Sequence, residues 1–120
     1  MAQPRDPFFD FVEELFAPLG PVRIKRMFGG AGVFADDVMF ALIADDSLHL
    51  KTDAALRADL EAEGAEPFVW TRPTDGKVFD MGYLSLPSDA ADDPEAASEW
   101  GRRALDVALK AKAGKAKKKR

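Results

Sequence analysis

Between Val22 and Thr52 the chain strings together short apolar runs whose joints are too brief to hold a helix. Val22, Ile24 and Phe28 alternate with Arg23, Lys25 and Met27, and Gly32-Val33-Phe34-Ala35 follows. Asp36-Asp37 separates that run from Val38-Met39-Phe40-Ala41-Leu42-Ile43, and Asp45-Asp46-Ser47 precedes Leu48-His49-Leu50-Lys51-Thr52. A two-residue period is that of a strand with one face toward a core. Aspartate and serine at the joints favour turns, because their side chains hydrogen-bond to nearby backbone. Joints this short link antiparallel neighbours, since a parallel pair needs a crossover of a dozen or more residues. A meander of three or four antiparallel strands is expected.

Helical stripes flank the meander. Asp6-Pro7 opens a first helix, with Asp as cap and Pro at the first helical position. Phe8, Phe11, Val12, Leu15, Phe16 and Leu19 then recur at three- and four-residue steps until Pro18 and Gly20-Pro21 stop them. Thr52 or Asp53 caps a second helix bearing Leu56 and Leu60, with Arg57 and Glu61 on another face and Gly64 as its stop. Pro67 to Thr71 and Val78 to Leu84 flank a Pro73-Thr74-Asp75-Gly76-Lys77 turn and read as a hairpin. Asp93-Pro94 repeats the capping device ahead of Trp100, Ala104, Val107, Ala108 and Ala111, with Leu105 and Leu109 beside them. The fold class expected is α+β in two layers. An antiparallel sheet of five or six strands carries helices packed on one side, in the order helix, three or four strands, helix, two strands, helix.

A chain of 120 residues is sized for one core. It has no cysteine and a single histidine, His49, so disulfides, thiolate catalysis and zinc–sulfur sites are excluded. No apolar run approaches the ~20 residues of a membrane span and no secretion signal opens the chain, so a cytoplasmic protein is expected. The net charge of −4 hides a division. Residues 1–109 hold 10 basic and 21 acidic side chains, and residues 110–120 hold 7 basic and none acidic. The expected organisation is a domain over 1–109 and a basic, disordered tail over 110–120. Lys110, Lys112, Lys115, Lys117, Lys118, Lys119 and Arg120 are the candidate nucleic-acid contacts. Their engagement without sequence preference predicts a logarithmic salt slope of about −6.

Gly30-Ala31-Gly32-Val33-Phe34-Ala35 fits the G-x-G-x-x-G/A pattern in form. A dinucleotide cradle needs that pattern to open a helix, whose free N–H groups hold the pyrophosphate. Here the residues behind it continue as strand, so the glycines are expected to be backbone devices: a positive φ, a bulge, or close passage of a neighbouring chain. Arg23, Lys25 and Arg26 form a small basic cluster beside them. It is a candidate partner face on which Arg23 and Lys25 share one side and Arg26 takes the other. The Asp36-Asp37, Asp45-Asp46 and Asp92-Asp93 pairs lack the spacing of a cation loop and read as turns and caps. No metal, cofactor or catalytic residue is expected. Phe8, Phe9, Phe11 and Phe16 make the first helix apolar on more than one side, which suggests a homodimer.

Arg26-Met27-Phe28-Gly29-Gly30-Ala31-Gly32-Val33-Phe34 resembles the N-terminal domain of the TfoX/Sxy family, regulators of natural transformation competence in bacteria. So do Met39 to Ile43, Leu48 to Asp53, Glu66-Pro67-Phe68, Met81 to Pro87 and Trp100 to Ala104. The likeness runs from residue 22 to about 109. It implies a two-layer α+β fold without catalysis or cofactor and a link to transcription of DNA-uptake genes. The implied partner is a protein, a transcription factor or an RNA polymerase-associated regulator, since the family's best-known members act beside a cyclic-AMP-responsive activator. Full-length members carry a second, helical domain, where this chain has its lysine tail. Ala31 and Gly82 stand where larger or more polar residues are common. The competing expectation is a small enzyme or ligand-binding module on the same sheet, with a site near His49 and Tyr83 beside Lys51. A pocket of convergent polar groups would favour that alternative. A closed apolar core with an exposed sheet edge would favour the regulator.

Overall fold

The computed structural model describes residues 7–27, 30–44 and 47–118, with side chains through Ala113. Helix α1 (Pro7–Leu15) leads into four strands, β1 (Arg23–Met27), β2 (Gly30–Ala35), β3 (Val38–Ala44) and β4 (Ser47–Lys51). Helix α2 (Ala54–Ala62), the hairpin β5 (Pro67–Thr71) and β6 (Val78–Ser85), a single 3-10 turn and helix α3 (Pro94–Lys118) complete the chain. The strands form one antiparallel sheet in the order β1-β2-β3-β4-β6-β5. The α+β architecture expected from the sequence is the one found, with four strands before α2 and six in all.

Local chemistry sets the element ends. Asp36 and Asp37 both take positive φ, 51° and 62°, as a two-residue hairpin turn with the right twist requires. The Asp53 carboxylate accepts from the Leu56 N–H at 2.9 Å and caps α2. At its other end Gly64 adopts φ 87° while the Ala65 N–H donates back to the Leu60 carbonyl, closing the helix in a left-handed turn. Asp93 accepts from the Glu95 and Ala96 N–H groups and caps α3. The cap expected of Asp6 lies outside the described residues. So do Phe28, Gly29, Asp45 and Asp46.

Helix α3 runs past the boundary expected at residue 109, to Lys118. Alanine and lysine are strong helix formers, and cations in a last turn suit the negative end of the helix dipole, so the backbone stays helical beyond the last buried turn. Lys110 and Lys112 are exposed on it. The side chains of Lys115, Lys117 and Lys118 lie outside what is described, as do Lys119 and Arg120 entirely.

The core lies between the sheet and the helices, which share one side. Register puts Ala31, Val33, Ala41, Ile43, Leu48, Leu50 and Leu84 on that side. A bulge opposite Val33 and Phe34 leaves Phe40 as an extra residue, so Phe40 and Ala41 both face the helices. Phe40 meets Phe16 edge to face, with centroids 5.3 Å apart. Both rings crowd Gly101 of α3, where an added Cβ would stand 2.7 Å from Phe16 Cε1. Small residues on the buried face of α3 (Ala97, Gly101, Ala104 and Ala108) therefore let the helix settle close against β3. Buried Ser98 donates its hydroxyl to the Leu15 carbonyl at 3.2 Å, supplying a partner for the C-terminal end of α1. Arg103 of α3 pairs with Asp59 of α2 at 2.7 Å on the same side.

Candidate partner-binding surface

The other face of the sheet carries no helix. Alternation places Arg23, Lys25 and Met27 of β1 there, with Gly32 and Phe34 of β2, Met39 and Leu42 of β3, His49 and Lys51 of β4, and Tyr83 and Ser85 of β6. Arg26 takes the opposite side, its guanidinium 5.0 Å from the Phe9 ring of α1. The three residues expected as a basic cluster are thus divided between two faces, as the strand period implies. Arg23 and Lys25 are exposed.

The β5–β6 hairpin bends over this open face. A register shift opposite Pro67 to Val69 inserts Met81, Gly82 and Tyr83 against Phe68, and Gly82 takes φ 77°. The bend is clamped from both sides. The Gly82 N–H donates to Asp80 Oδ1 at 2.9 Å, while its carbonyl accepts from the Thr52 N–H and hydroxyl, each at 3.0 Å. Arg57 of α2 donates to Asp80 at 2.6 Å, and that contact with the Gly82 N–H holds the Asp80 carboxyl below its ordinary value. At the tip Arg72 grips Asp75 through two hydrogen bonds, and Arg72 and Lys77 both lie over the Phe79 ring. Trp70 stacks on Phe79 with centroids 5.8 Å apart.

Between the hairpin and the sheet lies a groove of about 510 Å³. Met27, Met39, Leu42, Phe68, Trp70 and Met81 dominate its wall. Trp70 and Met81 remain 47% and 46% exposed, an unusual surface for residues so apolar. None of these groove residues was singled out as a site in the sequence. The signal was the unbroken run Val38 to Ala44, which has no polar residue on either strand face and so reads as a strand covered on both sides.

His49, Lys51 and Tyr83 do share the open face, but none of the three lines the groove. His49 lies under the Phe68 ring, centroids 5.0 Å apart, and its buried Nδ1 has no hydrogen-bond partner among the described residues. Lys51 Nζ sits 5.5 Å from the centre of the Tyr83 ring. Burial pushes the Tyr83 hydroxyl up from its ordinary value. Burial pushes the His49 imidazole down from 6.5, with the Ser47 backbone offsetting part of the shift.

The His49 shift has a stability consequence. A histidine whose folded value is depressed binds fewer protons folded than unfolded, so stability is lost as pH falls below 6.5 toward the folded value. The melting temperature is expected to drop between about pH 7.5 and about pH 5.5, and His49→Gln to remove most of that drop. The chain has no other imidazole to share the effect. The lowered carboxyls of Asp75 and Asp80 act only in more acid solution, as pH falls below 3.8. Equal pH slopes in the wild type and His49→Gln would contradict the assignment.

Gly30 to Ala35 make up the whole of β2, and two exposed aspartates and another strand follow. No helix opens behind these glycines to offer N–H groups to a phosphate. Among the described residues no cluster of three carboxylates or histidines is arranged for a metal, and no helix is long and apolar enough to cross a membrane.

Residues 14–108 match the family model of the TfoX N-terminal domain. The chain belongs to that family. It is also 34% identical over 74 residues to the DNA transformation protein TfoX1 of Aliivibrio fischeri. That alignment takes in 62% of this chain and 34% of the relative, so the chain spans about a third of that protein's length. The TfoX-type region begins within α1 and ends in the last buried turn of α3, so both layers of the fold belong to it.

Proposed function

We propose that this TfoX-type domain is a non-enzymatic regulatory module acting in the cytoplasm, tied to transcriptional control of DNA-uptake genes and working through protein contacts. The observation that carries the reading is the helix-free sheet face with its methionine-rich groove. Such a groove offers adaptable apolar contact and almost no polar group to position a substrate. Family membership and the name of the Aliivibrio relative support the competence setting. The partner is a protein of the transcription machinery. Lys110, Lys112 and the lysines that follow add affinity for nucleic acid without sequence preference.

The test is genetic. Transcripts of DNA-uptake genes are expected to fall when the chain is removed from its native cell, and to return with the wild type but not with Met81→Glu. Transcript levels indifferent to the chain would overturn the reading.

A further inference from the structure

The open face is basic as well as apolar. Among the described strand residues Asp80 is the single carboxylate, and it is turned to the helix side by its contact with Arg57. Arg23, Lys25 and Lys51 stand on the open face, and Lys77 lies over Phe79 at the hairpin tip, where Arg72 is already paired with Asp75. The carboxylates that give residues 1–109 their negative balance are carried by the helices and the connections. A chain of net charge −4 therefore presents one face whose strand cations lack strand carboxylates beside them. Arg23 and Lys25 make no ion pair among the described residues.

We propose that this face seats an acidic amphipathic segment of a partner protein. Its apolar side chains enter the groove of Met27, Met39, Leu42 and Met81, and its carboxylates lie against Arg23, Lys25, Lys51 and Lys77. This partner chemistry rests on the reading of the face as a protein-docking surface. Charge complementarity selects the sign of the occupant. The groove wall selects its kind. Nucleic-acid bases need several free flat rings to stack on, and most here are engaged already: Phe79 by Trp70, Arg72 and Lys77, Tyr83 by Lys51, Phe68 by His49, which leaves Trp70, 47% exposed, as the ring with open surface in the groove. What remains open is mostly thioether and aliphatic surface, which repacks around leucine or phenylalanine anchors spaced along one side of a helix. A second copy meeting this face with its own would set Arg23 and Lys25 against like charges, which disfavours a symmetric pair.

The experiment uses the full chain and a fluorescein-labelled designed helix of about 18 residues, with leucines at i, i+3, i+4 and i+7 flanked by glutamates. Anisotropy is expected to show binding of this peptide. A matched peptide with lysine in place of glutamate is expected to bind at least about tenfold more weakly, as is the acidic peptide to Met81→Glu or Lys25→Glu. Both substituted positions are exposed, and unchanged melting curves would show the variants folded. Trp70→Ala carries the same test should Met81→Glu fail to fold. Binding that ignores all of these substitutions would place the peptide on the lysines beyond residue 109 and overturn the assignment. So would equal affinity for the lysine peptide, or binding of a dT oligonucleotide of about twelve nucleotides that Met81→Glu abolishes. A wild-type dimer in sedimentation that Met81→Glu splits would give the face to a second copy. Loss of transcript control in Met81→Glu without any peptide binding would remove the acidic chemistry and leave the docking surface standing.

Discussion

Phe40→Ala is expected to lower the free energy of unfolding by about 3–5 kcal/mol, among the largest effects of any single truncation in this domain. Phe40 is fully buried and sits at the bulge of β3, against Phe16 from the end of α1 and Gly101 from α3. Removing the ring loses its transfer free energy and leaves a cavity that the surroundings fill poorly. The sheet cannot move in, because the bulge is held by β2, and α3 already lies as near as its glycine allows. Small domains have about 5–15 kcal/mol in all, so the variant should stand near the limit of folding. The measurement is urea unfolding with the slope compared between proteins. A loss below about 1 kcal/mol would mean that the ring does not join sheet and helices as described.

The bulge that gives Phe40 this position shows where sequence reading stops. The apolar run Val38 to Ile43 signals a strand, yet nothing in it says that Phe40 and Ala41 point the same way; that depends on a register shift against β2. Features decided within a few residues were legible. The Asp53 and Asp93 caps, the Gly64 stop and the Asp36-Asp37 turn all rest on local hydrogen bonds or backbone preference, and the structure has them where the residues imply. The end of α3 was not legible, because the loss of buried positions after Leu109 does not by itself end a helix of alanine and lysine.

The groove was legible only in its parts. Trp70 and Met81 are remote from Met27 and Met39 in the chain, and they meet because Gly82 bends β6 under a clamp from Thr52 and Asp80. Charge was misleading in sum. The acidic balance of residues 1–109 suggests a body that repels anions, whereas three of the four strand cations, Arg23, Lys25 and Lys51, stand on the helix-free face and the carboxylates lie elsewhere. Period-two alternation contained this for β1, where Arg23 and Lys25 share a side, but not for strands whose neighbours in the sheet are distant in sequence.

Gly30→Ala is expected to cost about 3 kcal/mol, and Gly32→Ala only about 1 kcal/mol, although the two glycines are one residue apart in the same strand. Neither has a positive φ, so the requirement is for space and not for backbone freedom. A Cβ on Gly30 would collide with the Ile43 carbonyl oxygen, a backbone atom of the adjoining strand that moves only if the β2–β3 ladder moves with it. A Cβ on Gly32 would stand 2.6 Å from Met39 Sδ and 3.0 Å from both Met27 Cε and Phe34 Cε1. Those are the ends of side chains, and two of them are flexible thioethers that swing aside at small cost. Urea midpoints of the two variants decide the matter, and equal losses or a reversed order would show that close passage of β3 is not what keeps residue 30 a glycine. The same geometry separates folding from binding. Gly32→Ala pushes Met27 and Met39 into the groove while sparing the ladder, so it should fold nearly as well as the wild type and bind the acidic helix less tightly.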